Sequence, residues 1–253
     1  MTPFSRKLLD SHLDESEYVA RCVLRVNVGI RGAYVFSSGK NMGIFKAVGY
    51  PEDVGRFYKL EEYEGYAWTC HGRYPTNTPG WWGGAHPFGL LGYSIVHNGE
   101  ISSYDANRRY IEMFGYKCTL KTDTEVITYI FDYLLRKKGL TLKEASKVVA
   151  ASFWSTIEGK SPEEREQEEL LRRMFPELLI TGPFSIILGF DGGLMALNDR
   201  LKLRSMVCAE KGDRAYMASE ECAIRVIEPE LDRIYAPAGG EAVIYTLNKE
   251  EAR

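Results

Sequence analysis

Cysteine is scarce in this chain and badly placed for a framework. Cys22, Cys70, Cys118, Cys208 and Cys222 are odd in number, widely spaced and never in a CxxC arrangement. They indicate neither a set of disulfides nor a zinc site, and each reads as a small buried residue in a reducing, cytoplasmic compartment. Long apolar runs are missing too, and nothing approaches the ~20 residues needed to span a bilayer. The start, MTPFSRKLLDSHLDESEY, carries charges every few residues and has no apolar signal core. Positive charge is not in excess: 32 Lys and Arg stand against 35 Asp and Glu, a formal net charge of -3. That composition offers no footprint for a nucleic-acid backbone or an anionic membrane surface. Fixed-period repeats and low-complexity linkers are absent as well, so residues 1–253 read as one domain with a mobile lead over 1–17.

What is present is a 45% apolar composition, enough for a cored globular protein. Residues 18–48 alternate apolar and polar positions between glycine-rich turns and predict a run of antiparallel strands. Pro51 and the acidic residues after it predict a helix over 51–63, followed by a strand, YAWTCH. From 89 to 101, GLLGYSIVHNGEI predicts a strand entering an Asn-Gly turn, and 102–114 and 123–138 have helical spacing. The highly charged stretch 160–173 predicts a solvated helix. After it, PFSIILGF, GGLMALND, LRSMVCA, RAYMASE and EAVIYTL recur at short intervals as strands. Strands, then helices, then strands, without regular βαβ alternation, define an α+β architecture with helices packed over sheets.

Three segments hold residue types suited to chemistry. HGRYPTNTPGWWGGAHPF (71–88) sets Arg73 at a predicted strand end, before a loop containing Trp81, Trp82, Gly83 and Gly84. Arg73 fits either a carboxylate clamp or a structural ion pair, and the loop fits either a lid over a small ligand or a fixed, packed connection. VHNGEI (96–101) offers the Asn98 amide and the Gly99 backbone N–H, donors suited to a developing oxyanion, although Asn-Gly is also a common turn. His97 reads as a structural strand-end histidine, paired by spacing with no other histidine. In LKTDTEV (120–126), Thr122 or Asp123 caps the next helix, or Asp123 meets a ligand ammonium.

Taken in order, HGRYPTNTPGWWGGAHPF, VHNGEI, KTDTEV, DRLKLRSMV and ASEECAI resemble the motifs of class II glutamine amidotransferases, which are N-terminal nucleophile hydrolases. The resemblance covers most of the chain and is strongest to the glutaminase domain of glutamate synthase in its archaeal-like, separate-subunit form. It implies a four-layer αββα sandwich in which an N-terminal cysteine, its thiol activated by its own α-amine, attacks the side-chain amide of L-glutamine and releases ammonia. It also implies that Arg73 grips the glutamine carboxylate, Asp123 its ammonium, that Thr76 lines the pocket, and that Asn98 with Gly99 forms the oxyanion hole. The ammonia acceptor would be a glutamate synthase catalytic subunit carrying FMN, iron-sulfur and NAD(P)H cofactors. This chain itself is expected to hold no cofactor or metal.

One departure stands out. Family members begin with Cys followed by a short glycine-containing strand, whereas this sequence begins Met-Thr-Pro-Phe and has no cysteine before Cys22. The expectation is a sandwich missing its first strand and inactive alone, its nucleophile lying upstream. The competing readings are a non-catalytic glutamine-binding or assembly subunit and an amidotransferase serving another acceptor.

Overall fold

The computed structural model describes residues 13–74 and 80–247. Its first element corrects the sequence reading. Helix α1 spans Glu15–Gly29, where alternation predicts strands, and Cys22 lies within it. Asp14 caps it by accepting from Glu17 N at 2.7 Å, and the buried residues Ala20 and Val23 fall at helical spacing. The β-branched alternation at Val26 and Val28 is incidental, since the chain buries the three-residue period instead. No strand forms among residues 30–48.

Helix α2, Pro51–Tyr58, with the short 3-10 turn Leu60–Glu62 after it, matches the predicted helix. The predicted strand YAWTCH does not pair into a sheet. It runs instead beside the turn between two later strands, where the Tyr66 hydroxyl accepts from Gly192 N at 2.9 Å and meets Asp191 at 3.2 Å.

Strands β1 (Phe88–Leu90), β2 (Tyr93–Gly99), β3 (Phe184–Phe190), β4 (Gly193–Asn198) and β8 (Val243–Thr246) form an antiparallel sheet in the order β1-β2-β3-β4-β8. Strands β5 (Val207–Lys211), β6 (Arg214–Ala218) and β7 (Arg233–Tyr235) form a second antiparallel sheet in the order β6-β5-β7. Between β2 and β3 lie helices α3 (Tyr104–Glu112), α4 (Asp123–Asp132), α5 (Leu142–Val149), α6 (Trp154–Glu158) and α7 (Pro162–Met174). A short helix, α8 (Glu221–Ile227), follows β6 and packs against it.

Side-chain alternation divides the large sheet cleanly. Ile95, Ile186, Leu188, Met195 and Leu197 join the helices in the main core. The intervening positions, Ile187 and Ala196, meet Met206, Cys208 and Val243 between the two sheets. The α+β expectation therefore holds, with helices packed on one face of the large sheet and the second sheet on the other.

Helix α4 lies at the centre, and every residue from Thr124 to Asp132 is buried. It is prolonged by a wider π turn over Tyr133–Lys137. Burying Ile127, Ile130, Phe131 and Leu134 contributes roughly 1.5–3 kcal/mol each. A helix with no wet face must also pair its polar groups internally. Asp132, whose side chain is 0% exposed, accepts Arg136 Nε at 2.8 Å and Nη2 at 2.7 Å, together with the Tyr116 hydroxyl at 2.5 Å. Arg136 reaches on to Glu17 at 2.7 Å, which ties α1 to α4.

Asp132→Ala strands this guanidinium and phenol against apolar neighbours, so it should cost about 3–5 kcal/mol of stability. Urea unfolding measures it. A loss below ~1 kcal/mol, the range of exposed pairs, would mean that Glu17 alone suffices for Arg136.

Candidate active site

Asn98 and Gly99 are not a hairpin turn. They are the last two residues of β2, opposite Ser185 and Phe184 of β3. Gly99 is required by close approach: a Cβ there would meet the Pro183 carbonyl, lie 2.7 Å from Phe184 Cα and 2.8 Å from His97 Nε2. Alternation turns Asn98 toward the inter-sheet face, in line with Ser185 and Asn198, whereas His97 faces α4.

At the start of α4 the capping expectation resolves in favour of Thr122, whose hydroxyl accepts from Glu125 N at 3.3 Å. Asp123 is thereby freed from capping. Its carboxylate takes Thr124 N at 2.8 Å and lies 3.5 Å from both Ile101 N and His97 Nδ1. Burial pushes the Asp123 carboxyl up, but the neighbouring imidazole and backbone N–H groups outweigh it and hold the group below the usual carboxylate range.

Three of the four histidines converge here, which spacing alone did not reveal. His97 Nδ1 lies 3.2 Å and His86 Nε2 3.0 Å from the same Thr124 hydroxyl. The His86 ring sits 4.3 Å from that of His71. Burial lowers His71 to about 4 and His86 to about 2, with the charged neighbourhood of Arg73 adding to the effect. Both are therefore neutral at physiological pH. His71 Nδ1, His86 Nδ1 and His97 Nε2 are buried without a hydrogen-bond partner. The available signal was that His71 and His86 bracket the arginine loop in HGRYPTNTPGWWGGAHPF.

Arg73 lies against Gly84, where a Cβ would sit 2.6 Å from its Nη1. The Trp81 ring occupies the corresponding space over Gly83. The two glycines thus answer to close packing by Arg73 and Trp81. Trp82 meets Tyr34 edge-on at 5.4 Å and Trp81 at 5.6 Å. Thr76 lies outside the described residues. No group of three or more His, Cys, Asp or Glu side chains suited to a metal occurs among the described residues, and no helix of the described residues is long and apolar enough to cross a membrane.

Behind the site, a small cavity between α1 and α4 is lined by Asn27, Tyr34, Lys46, Phe88, Glu125 and Tyr129. Burial lowers Lys46 to about 8, its ammonium stacked 3.9 Å from the Phe88 ring centroid. Glu125, 2% exposed, accepts Leu120 N at 2.8 Å and Thr119 N at 3.0 Å, yet burial outweighs both and raises it to about 7.

These motifs meet on one antiparallel α+β frame, and that frame has a family. The model of the class II glutamine amidotransferases matches residues 4–130, and the chain belongs to this family. An uncharacterized protein of Archaeoglobus fulgidus is 49% identical over 243 residues, covering 96% of this chain and 64% of that protein. An amidophosphoribosyltransferase of Methanocaldococcus jannaschii is 26% identical over 214 residues, covering 83% of this chain and 40% of the enzyme. A glutamine–fructose-6-phosphate aminotransferase of Sulfurisphaera tokodaii is 36% identical over 118 residues, covering 46% of this chain and 20% of the enzyme. The chain thus spans less than two thirds of the length of each of these relatives. A solved glutamine phosphoribosylpyrophosphate amidotransferase from B. subtilis aligns at 18% identity with a TM-score of 0.39, covering 61% of this chain and 27% of that one, a likeness too low to add to the assignment.

Glu125 makes a pH prediction. Its folded value near 7 exceeds its ordinary 4.5, so between those values the folded state holds a proton that the unfolded chain has lost. Its contribution to stability is present below pH 4.5 and fades as pH rises toward 7, by about 3 kcal/mol in all. Glu125→Gln should flatten that decline when urea unfolding at pH 5 and pH 8 is compared with the parent. An identical decline in both proteins would show that Glu125 is ionised throughout.

Proposed function

We propose that this chain is the glutamine-handling part of a glutamate synthase, supplying ammonia to a separate catalytic subunit. The observation that carries the reading is the meeting of three motifs at the Thr124 hydroxyl: the segment that contains Arg73 reaches it through His86, the strand that ends in Asn98 and Gly99 through His97, and the start of α4 through Asp123. In this reading Arg73 binds the glutamine α-carboxylate and Asp123, held ionised, its α-ammonium. Asn98 and the Gly99 N–H stabilise the oxyanion formed when a thiol adds to the side-chain carbonyl. The C–N bond then breaks, ammonia leaves with a proton from the nucleophile's own amine, and water cleaves the thioester to give glutamate.

The nucleophile is not one of the five cysteines of this sequence. Cys22 lies within α1 and Cys118 is half-buried, its thiol pushed up by burial. Cys208 sits between the sheets, pushed up to about 12. Cys70 and Cys222 are exposed, and none of the five, being internal, owns a free α-amine. The reading assigns the thiol to a cysteine N-terminal to these residues, so that ammonia release requires the extended chain and stops when that cysteine is replaced. Flavin, iron-sulfur and nicotinamide groups belong, on this reading, to the partner. The names of the amidophosphoribosyltransferase and aminotransferase relatives support a second reading, in which the acceptor is a sugar phosphate.

Two measurements test the site. Arg73→Ala and Asp123→Ala should each weaken glutamine binding by calorimetry by roughly tens- to thousands-fold, because each strands one charge of the ligand. Asn98→Ala in the active, extended chain should lower ammonia release by about 10²–10³-fold with little change in affinity. Unchanged binding in both charge variants sinks the substrate assignment, and unchanged turnover in Asn98→Ala removes the oxyanion role.

A further inference from the structure

We propose that Thr124 is the positioning residue of the glutamine site, its single hydroxyl holding Asp123, the Gly99 strand end and the Arg73 loop in mutual register. This rests on the glutamine reading above. A threonine hydroxyl has one proton and two lone pairs. Three groups surround Thr124 Oγ1: Asp123 Oδ1 at 3.3 Å, His86 Nε2 at 3.0 Å and His97 Nδ1 at 3.2 Å. The carboxylate only accepts, so it takes the hydroxyl proton, and both imidazoles must donate to the oxygen.

That assignment fixes His86 as the Nε2–H tautomer and His97 as the Nδ1–H tautomer. It leaves bare lone pairs on His86 Nδ1 and His97 Nε2, and these are among the buried atoms without a partner. The opposite tautomers would bury unsatisfied N–H donors there and crowd lone pairs around the Thr124 oxygen. The proton count and the orphan atoms therefore agree.

Each imidazole carries the position of Thr124 outward. His97 Nε2 lies 2.8 Å from where a Gly99 Cβ would stand, so the ring buttresses the oxyanion end. His86 lies two residues after Gly84, against which the Arg73 guanidinium rests, and its ring packs at a tilt on that of His71, two residues before Arg73. Thr124 itself is 1% exposed and anchored on the buried helix α4, so the node sits on a rigid element.

The test compares Thr124→Val, which keeps the shape and loses the hydroxyl, with Thr124→Ser, which keeps the hydroxyl. Glutamine affinity is read by calorimetry with Arg73→Ala alongside, and imidazole nitrogens by ¹⁵N NMR. Thr124→Val should weaken glutamine binding roughly tenfold or more, with Thr124→Ser within about threefold of the parent. The parent spectrum should show His86 protonated on Nε2 and His97 on Nδ1, with both signals moving in Thr124→Val and returning in Thr124→Ser. The parent tautomers decide the matter even if Thr124→Val fails to fold: the opposite pair overturns the proposal. Parent binding that Arg73→Ala weakens and Thr124→Val leaves intact overturns the role of Thr124 alone. A parent that binds no glutamine overturns the glutamine reading, and this inference falls with it.

Discussion

Helix α4 has no solvent face, and a helix in that position must settle every polar group it carries within the protein. Its far end does so by pairing Asp132 with Arg136 and Tyr116. Its near end takes a different solution. Thr122 caps the helix, Glu125 turns back to the amides of Thr119 and Leu120, and Asp123 with Thr124 faces the end of β2. On the proposed reading, Asp123, one of the polar groups turned inward at that end, is the one that meets the ammonium of glutamine. Packing and site are thus two aspects of one constraint.

The electrostatics follow from the same burial. A carboxylate, an arginine and three imidazoles lie close together, and low local polarity separates their proton affinities instead of averaging them. His71 and His86 are driven neutral, Asp123 stays ionised, and Glu125, only two residues on, is pushed toward neutrality. Asp123 and Glu125 share a helical turn but differ in partners: His97 and the Thr124 amide beside one, two loop amides and near-complete burial around the other.

Much of this was legible in the residues. The strand-rich C-terminal half, the helices around 104–112, 123–132 and 162–174, and the α+β order follow from periodicity, because there the buried pattern and the local propensity agree. They disagree over 15–29, where valines suggest strands while Asp14, Ala20 and Val23 build a helix. The family motifs named Arg73, Asn98, Gly99 and Asp123, yet not Thr124, whose importance depends on a meeting of β2, the arginine loop and α4 that no spacing encodes. Lys46 escaped for the same reason: its burial against Phe88 is a tertiary event.

The alternation of β2 makes its chemistry two-sided, with His97 toward the helices and Asn98 toward the second sheet. A strand repeats every two residues, so a one-residue slip of β2 against β3 would exchange those faces. Asn98 would then point at Thr124, and His97 into the gap between the sheets. The pairing of β2 with β3 is consequently a parity switch: a slip by two residues keeps the handedness of this region, while a slip by one inverts it without changing the sequence.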